Sequence, residues 1–147
     1  MKISVGADER NHTVEWVLKY LEENGNQVVW YGPHPGGAEP WPEVARQVAL
    51  DVVSGKSEQG ILFCWTGTGV SIAANKVKGI RAALCADAET ARGAKLWNNA
   101  NVLCLSLRLT TEALTEEILK AWFATEYQPN PGDDLCLNML ADLDQNY

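Results

Sequence analysis

The sequence predicts an α/β protein in which a five-stranded parallel sheet is covered on both faces by helices. Two observations carry that prediction: short β-branched runs alternate with amphipathic stretches along the chain, and the central runs are apolar throughout, as in strands buried on both faces. "KISVGAD" opens as the first strand, and Val14, Val17, Leu18 and Leu21 then recur at the spacing of one helix face until Asn24-Gly25 stops it. "QVVWYG" is the second strand. A loop rich in Pro and Gly, "GPHPGGAEPWP", leads to a helix with Val44, Val48 and Val52 facing inward and a stop at Ser54-Gly55. "GILFC", "RAALC" and "NVLCLS" supply three more strands, separated by helical segments near 70–77 and 87–97. "TTEALTEEILKAWFATE" closes the series, with Thr110 or Thr111 as cap and Leu114, Ile118 and Trp122 on one side.

Five strand–helix units in about 125 residues wind into a three-layer, Rossmann-like sheet, since right-handed crossovers leave few other arrangements. Residues 1–147 form one domain by this reading. Its tail, 128–147, has no Lys or Arg, begins "QPNPGDD" and ends in a short helix.

Composition narrows the function. The net charge is −7 and Lys and Arg nowhere cluster, which argues against a sequence-independent grip on nucleic acid or on an anionic membrane. No apolar run approaches the roughly 20 residues of a membrane span, and "MKISVGADER" meets charge too early for a signal peptide, so a cytoplasmic location is expected. The four cysteines, at 64, 85, 104 and 136, form no CxxC pair; reduced thiols are expected and a zinc site is not.

In an open parallel sheet, ligands bind beyond the carboxyl ends of the strands where the winding reverses. Asp8 ends the first strand and Cys64 the third, so the fold should bring a carboxylate, a thiol and the loop "TGTGVS" together. The fourth and fifth strands are expected to carry Asp87 and "WNNAN" to the same rim. Gly67 and Gly69 precede a helix, whose free N–H groups suit an anion or oxyanion. The same glycines equally serve a plain strand-to-helix turn. The loop is no P-loop, lacking Gly-Lys-Ser/Thr, and no dinucleotide fingerprint, because Ile72 stands where a third glycine belongs. A thiol at a helix entrance can act as base or nucleophile, whereas a free cysteine is more commonly a small core residue; Cys85 and Cys104, inside strands, are read as core. His12 and His34 have no partner at catalytic or metal spacing.

"KISVGAD", "EPWPEVARQVA", "GILFCWTGTGVSIAANKVKGIRAALC" and "NNANVLCLSLR" together resemble the ribose-5-phosphate isomerase B and galactose-6-phosphate isomerase family over roughly residues 1–125. The resemblance implies a homodimer, often paired further into a tetramer, with each site built from both subunits and no metal or organic cofactor. It also implies that Cys64 moves a proton between neighbouring carbons of an open-chain sugar through an enediolate. By the same resemblance Gly67, Thr68, Gly69, Val70 and Ser71 surround the oxyanion, Thr66 stands near the sugar oxygens, Asp8 binds sugar hydroxyls and Arg108 matches a family arginine.

The chain also departs from the pattern. Glu9 replaces a histidine after the first strand; Trp97, before Asn98, replaces a histidine that assists ring opening; Trp65 replaces a glycine and Trp41 a tyrosine. The tail, 128–147, which the resemblance implies packs on a partner subunit, offers acidic groups where the family has arginines, and Arg10 is a candidate replacement cation. The resulting expectation is an aldose–ketose isomerase acting on an altered, already open-chain substrate such as a tetrose; the alternative is a non-catalytic sugar-binding or sugar-phosphate-binding homologue.

Overall fold

The computed structural model describes all 147 residues. Five parallel strands, β1 (Lys2–Ala7), β2 (Gln27–Tyr31), β3 (Gln59–Cys64), β4 (Ala82–Leu84) and β5 (Val102–Ser106), lie in the order β2-β1-β3-β5-β4. The helices are α1 (His12–Glu23), α2 (Trp41–Ser54), α3 (Thr68–Ala74), α4 (Ala88–Asn98), α5 (Glu112–Ala124) and α6 (Pro131–Asn146). None is long and apolar enough to cross a membrane.

Two cores lie on opposite faces of the sheet. On one, Val14, Val17, Leu18 and Leu21 of α1, Ala91 and Ala94 of α4, and Ile118, Leu119 and Trp122 of α5 pack on Ile3, Val5, Ile61, Phe63, Leu103 and Leu105. On the other, Val44, Ala45, Val48 and Ala49 of α2 and Val70 and Ala74 of α3 cover Leu62, Cys64, Val102 and Cys104. Strand alternation divides the residues between the faces. A Cβ on Gly6 would stand 2.6 Å from Val44 Cγ1, and one on Gly60 2.6 Å from Val48 Cγ1, so α2 sits closer than any larger residue at either site would permit.

The helix ends follow local chemistry. Side chains of Asn11, Asp87, Thr111 and Asn130 accept from the backbone N–H groups of Val14, Thr90, Leu114 and Asp133 and so cap α1, α4, α5 and α6. Gly55, at φ 80°, ends α2 in the left-handed conformation. Beneath α2, the Ser4 hydroxyl donates to Asp51 Oδ2 at 2.7 Å and lies 2.7 Å from the Ser57 hydroxyl, so the buried polar groups satisfy one another.

Four expectations change. The helix expected near 70–77 spans Thr68–Ala74, because the Asn75 amide turns away to clasp both backbone groups of Ala82, at 2.8 and 3.0 Å. "RAALC" shortens to three paired residues, since the Arg81 N–H goes instead to the Asn101 side chain at 2.8 Å. Val52 is only partly buried, and Ala45 and Ala49 complete the inner face of α2. The short terminal helix is a 16-residue one with no buried residue, tied to the body where the Gly79 N–H donates to Asp144 Oδ2 at 2.7 Å.

Candidate functional site

The winding reverses between β1 and β3, which leave in opposite directions to α1 on one face and α3 on the other. The pairing of Ala7 with Phe63 and of Cys64 with Ser106 sets Asp8, Cys64 and Ser106 in a row across the carboxyl edge, at the roughly 4.8 Å spacing of neighbouring strands.

Cys64 is the last residue of β3 and retains 5 % of its surface. The segment after it is held from β5: Leu107 N–H donates to the Cys64 carbonyl at 3.0 Å, and Arg108 N–H and the Ser106 hydroxyl both donate to the Trp65 carbonyl, at 2.9 and 3.0 Å. The Trp65 ring is left exposed. Gly67 caps α3 at φ 77°, and a Cβ there would meet the Leu105 carbonyl carbon at 2.9 Å, so only glycine fits both the conformation and the space.

Beyond this turn, the N–H groups of Thr68, Gly69 and Val70 have no acceptor in the chain, as the first turn of a helix dictates. The Ser71 N–H is already given to the Gly67 carbonyl at 3.3 Å, so the open cradle is three amides deep and stops short of Ser71. Thr66 and Thr68 are exposed beside it, with their hydroxyls 2.7 Å apart. The cradle's outer flank is Trp41, the first residue of α2, whose ring carbons lie 3.1 Å from where a Cβ on Gly69 would be.

Asp8 stands across the edge. Its Oδ1 is buried without a hydrogen-bond partner, and burial, followed by the neighbouring Glu9 charge, raises its pKa above the usual carboxylate value. Its carbonyl accepts from Glu39 N–H at 2.9 Å, and Glu9 forms a bridge with Ala38, which pins the loop before α2 to the end of β1. Arg10 is committed elsewhere: its guanidinium pairs with Glu15 and stacks over Trp30, 5.1 Å from the ring centre. Arg108 makes no ion pair, and with His12 it lines a cavity of about 550 Å³ formed where α1 and α5 begin.

The "WNNAN" segment does not reach this edge within its own chain. After Asp87, α4 runs back along the sheet and delivers Trp97 and Asn98 to the amino-terminal edge, before β5 begins. There Trp97 packs over Gly93, with the Arg92 guanidinium 5.7 Å from its ring centre. Trp97 and Asn98 line a second cavity, about 480 Å³, with Ala82, Ala83 and Leu140 of α6. Cys85 and Cys104 are buried as expected, and burial pushes the Cys85 thiol up to about 12 and raises the Cys104 thiol as well.

Two residues at the edge were not singled out as functional by the sequence. Ser106 clamps Trp65, a role legible only once the register sets it opposite Cys64. His12 was read as isolated, and the fold brings it to Arg108. No group of three or more His, Cys, Asp or Glu side chains converges as a metal site.

Known proteins share this sequence and arrangement. The family model described as Ribose/Galactose Isomerase matches residues 3–134. A D-erythrulose-4-phosphate isomerase of Pectobacterium atrosepticum is 39 % identical over 130 residues, covering 87 % of this chain and 86 % of its own length. Ribose-5-phosphate isomerase B of Escherichia coli is 36 % identical over 128 residues, 86 % of each chain. The solved structure of ribose-5-phosphate isomerase B from Clostridium thermocellum superposes with a TM-score of 0.95 at 33 % identity, over 100 % of this chain and 99 % of that one. By sequence along nearly its whole length and by a shared five-stranded architecture, the chain belongs to the ribose/galactose isomerase family.

Proposed function

We propose that the protein interconverts the aldose and ketose forms of a short, open-chain sugar phosphate, with Cys64 as the proton-transferring base. One juxtaposition carries the reading: a thiol, three unpaired amides, a mutually hydrogen-bonded pair of hydroxyls and an unpartnered carboxylate meet along one sheet edge. Cys64 Sγ, as thiolate, takes the hydrogen on the carbon beside the carbonyl as a proton. The electron pair of that C–H bond becomes the enediolate double bond, and the carbonyl π pair becomes charge on oxygen. The amides of Thr68, Gly69 and Val70 stabilise that charge, an interaction strongest in the transition state. The Thr66–Thr68 hydroxyl pair relays the proton between the two substrate oxygens, and Sγ returns its proton to the other carbon. Nothing is oxidised or reduced overall except the two substrate carbons against each other.

Asp8 accepts from a hydroxyl further along the polyol, which gives its buried oxygen the donor it lacks. Arg108, unpaired and beside His12, takes the phosphate. A four-carbon 4-phosphate suits this site, because its ring-closing oxygen is esterified and the sugar needs no acid to open it. Trp97 stands where the resemblance implies a ring-opening histidine, and the Pectobacterium relative is named for a substrate of this kind.

The site of one chain is an open shelf, and we infer that a second copy closes it. Leu135, Met139 and Leu143 of α6 are exposed at helical spacing, and the exposed Trp97 shares a cavity with the same helix. A tetramer stays with the family resemblance, and a cytoplasmic location stays an expectation from the sequence.

Cys64→Ala lowers isomerisation of erythrulose 4-phosphate, and deuterium exchange from solvent into it, by about 10²–10⁴-fold; exchange undiminished in the variant removes Cys64 as base. Tight binding without exchange by the wild type would make the protein a binding homologue. Arg108→Ala raises KM for the phosphorylated sugar about tenfold or more, as loss of a charge-assisted hydrogen bond does, and leaves turnover of free erythrulose unchanged.

Asp8→Asn separates function from stability. With the folded pKa raised above the unfolded value, ionised Asp8 destabilises the fold above that range, and the penalty is absent below the ordinary value near 3.8. The variant therefore melts higher than wild type at pH 7, the difference shrinks as pH falls through the carboxylate range, and sugar binding weakens; calorimetry across pH reads this directly. Sedimentation velocity finds the wild type dimeric, and Met139→Glu with Leu143→Glu yields folded monomers without activity. A monomeric, active wild type excludes the shared site.

A further inference from the structure

Trp41 is the residue whose placement the reaction itself does not explain. It begins α2 between Pro40 and Pro42, so the backbone that carries it is stiff. Three of its ring carbons, Cδ2, Cε3 and Cε2, lie within 3.1 to 3.3 Å of where a Cβ on Gly69 would be; the benzo ring therefore lies against Gly69, the middle residue of the cradle. The indole is nonetheless 41 % exposed. Its Nε1–H has no acceptor in the chain, whereas those of Trp30 and Trp122 donate to the Pro33 carbonyl and the Gln59 side chain.

We propose that Trp41 determines the length of sugar phosphate the enzyme accepts, acting as the wall behind the carbonyl end of the substrate. This rests on the isomerase reading above. α2 and α3 lie on one face of the sheet and α1 and α5 on the other. Arg108 and His12 lie where α1 and α5 begin, and Trp41 lies against α3. A substrate with its phosphate at Arg108 and its carbonyl oxygen on the Thr68–Val70 amides spans the crest of the sheet between these two fixed ends. Carbon atoms beyond the oxyanion carbon, on the α2 side, meet the indole. The wall thus admits the single hydroxymethyl carbon that lies past a C2 carbonyl, and each carbon added between the ends drives the chain into the ring. The flat apolar face also suits the C–H edge of a polyol.

Competitive binding of two unreactive acids, erythronate 4-phosphate and ribonate 5-phosphate, tests the wall without requiring turnover. Wild type, Trp41→Phe and Trp41→Ala are compared, and the ratio of the two affinities is read alongside the kcat/KM ratio for the matching sugars. The wild type favours the four-carbon acid. Trp41→Ala shifts the affinity ratio toward the five-carbon acid by about tenfold or more, the scale on which a pocket discriminates one carbon unit, and Trp41→Phe falls between. An affinity ratio equal in all three proteins, or a parallel loss for both acids, overturns the proposal. Absence of exchange by the wild type with the affinity shift intact overturns the isomerase reading and leaves the wall standing as part of a binding site.

Discussion

The seating of α2 on Gly6 and Gly60 is the contact on which the rest of the site depends. Both glycines lie on inner strands, beneath Val44 and Val48, where a single added carbon would collide at 2.6 Å. A helix held this close is fixed in height and rotation by close-packed side chains rather than by its surface. Its first residue then meets the first turn of α3, and that contact joins the two helices that flank β3 along the chain. A small shift of α2 would uncover Gly69 and move one wall of the cradle without touching any chemical group.

The polar side of the site is organised on the opposite principle. Asp8 is left with a buried oxygen and no donor, next to the negative charge of Glu9. In a structural role such a group would be a defect, since buried polar atoms are otherwise paired. The Ser4–Asp51–Ser57 cluster further down the sheet shows the contrast, as each of its members finds a partner. On the isomerase reading, an incomplete carboxylate at the point where the winding reverses suits polyol hydroxyls, and the rest of the fold offsets its cost.

Much of this was legible in the chain. Val14, Val17, Leu18 and Leu21 mark α1 because a helix buried on one side writes its period into the sequence, and Cys64 with the two glycines marks the end of β3 because turn chemistry is local. Trp97 and Asn98 were misplaced because sequence proximity to β5 says nothing of which edge of the sheet the preceding helix ends on; only the return of α4 decides that. α6 was underestimated since its apolar residues have no partner in the same chain and so leave a weak period. The limits of α3 depend on Asn75 finding Ala82, and the clamp at Ser106 depends on register; both are long-range facts that no local window contains.

On the proposed reaction, the left-handed turn at Gly67 has a wider meaning. With the Leu105 carbonyl filling the space a side chain would need, the backbone there has no nearby alternative to relax into. The dipoles that follow it are oriented when the chain folds, long before any sugar arrives. Solvent facing a nascent anion must reorient its molecules to meet it; a turn of this kind offers a surrounding already aligned, and so removes from the reaction barrier the work that water would have to do.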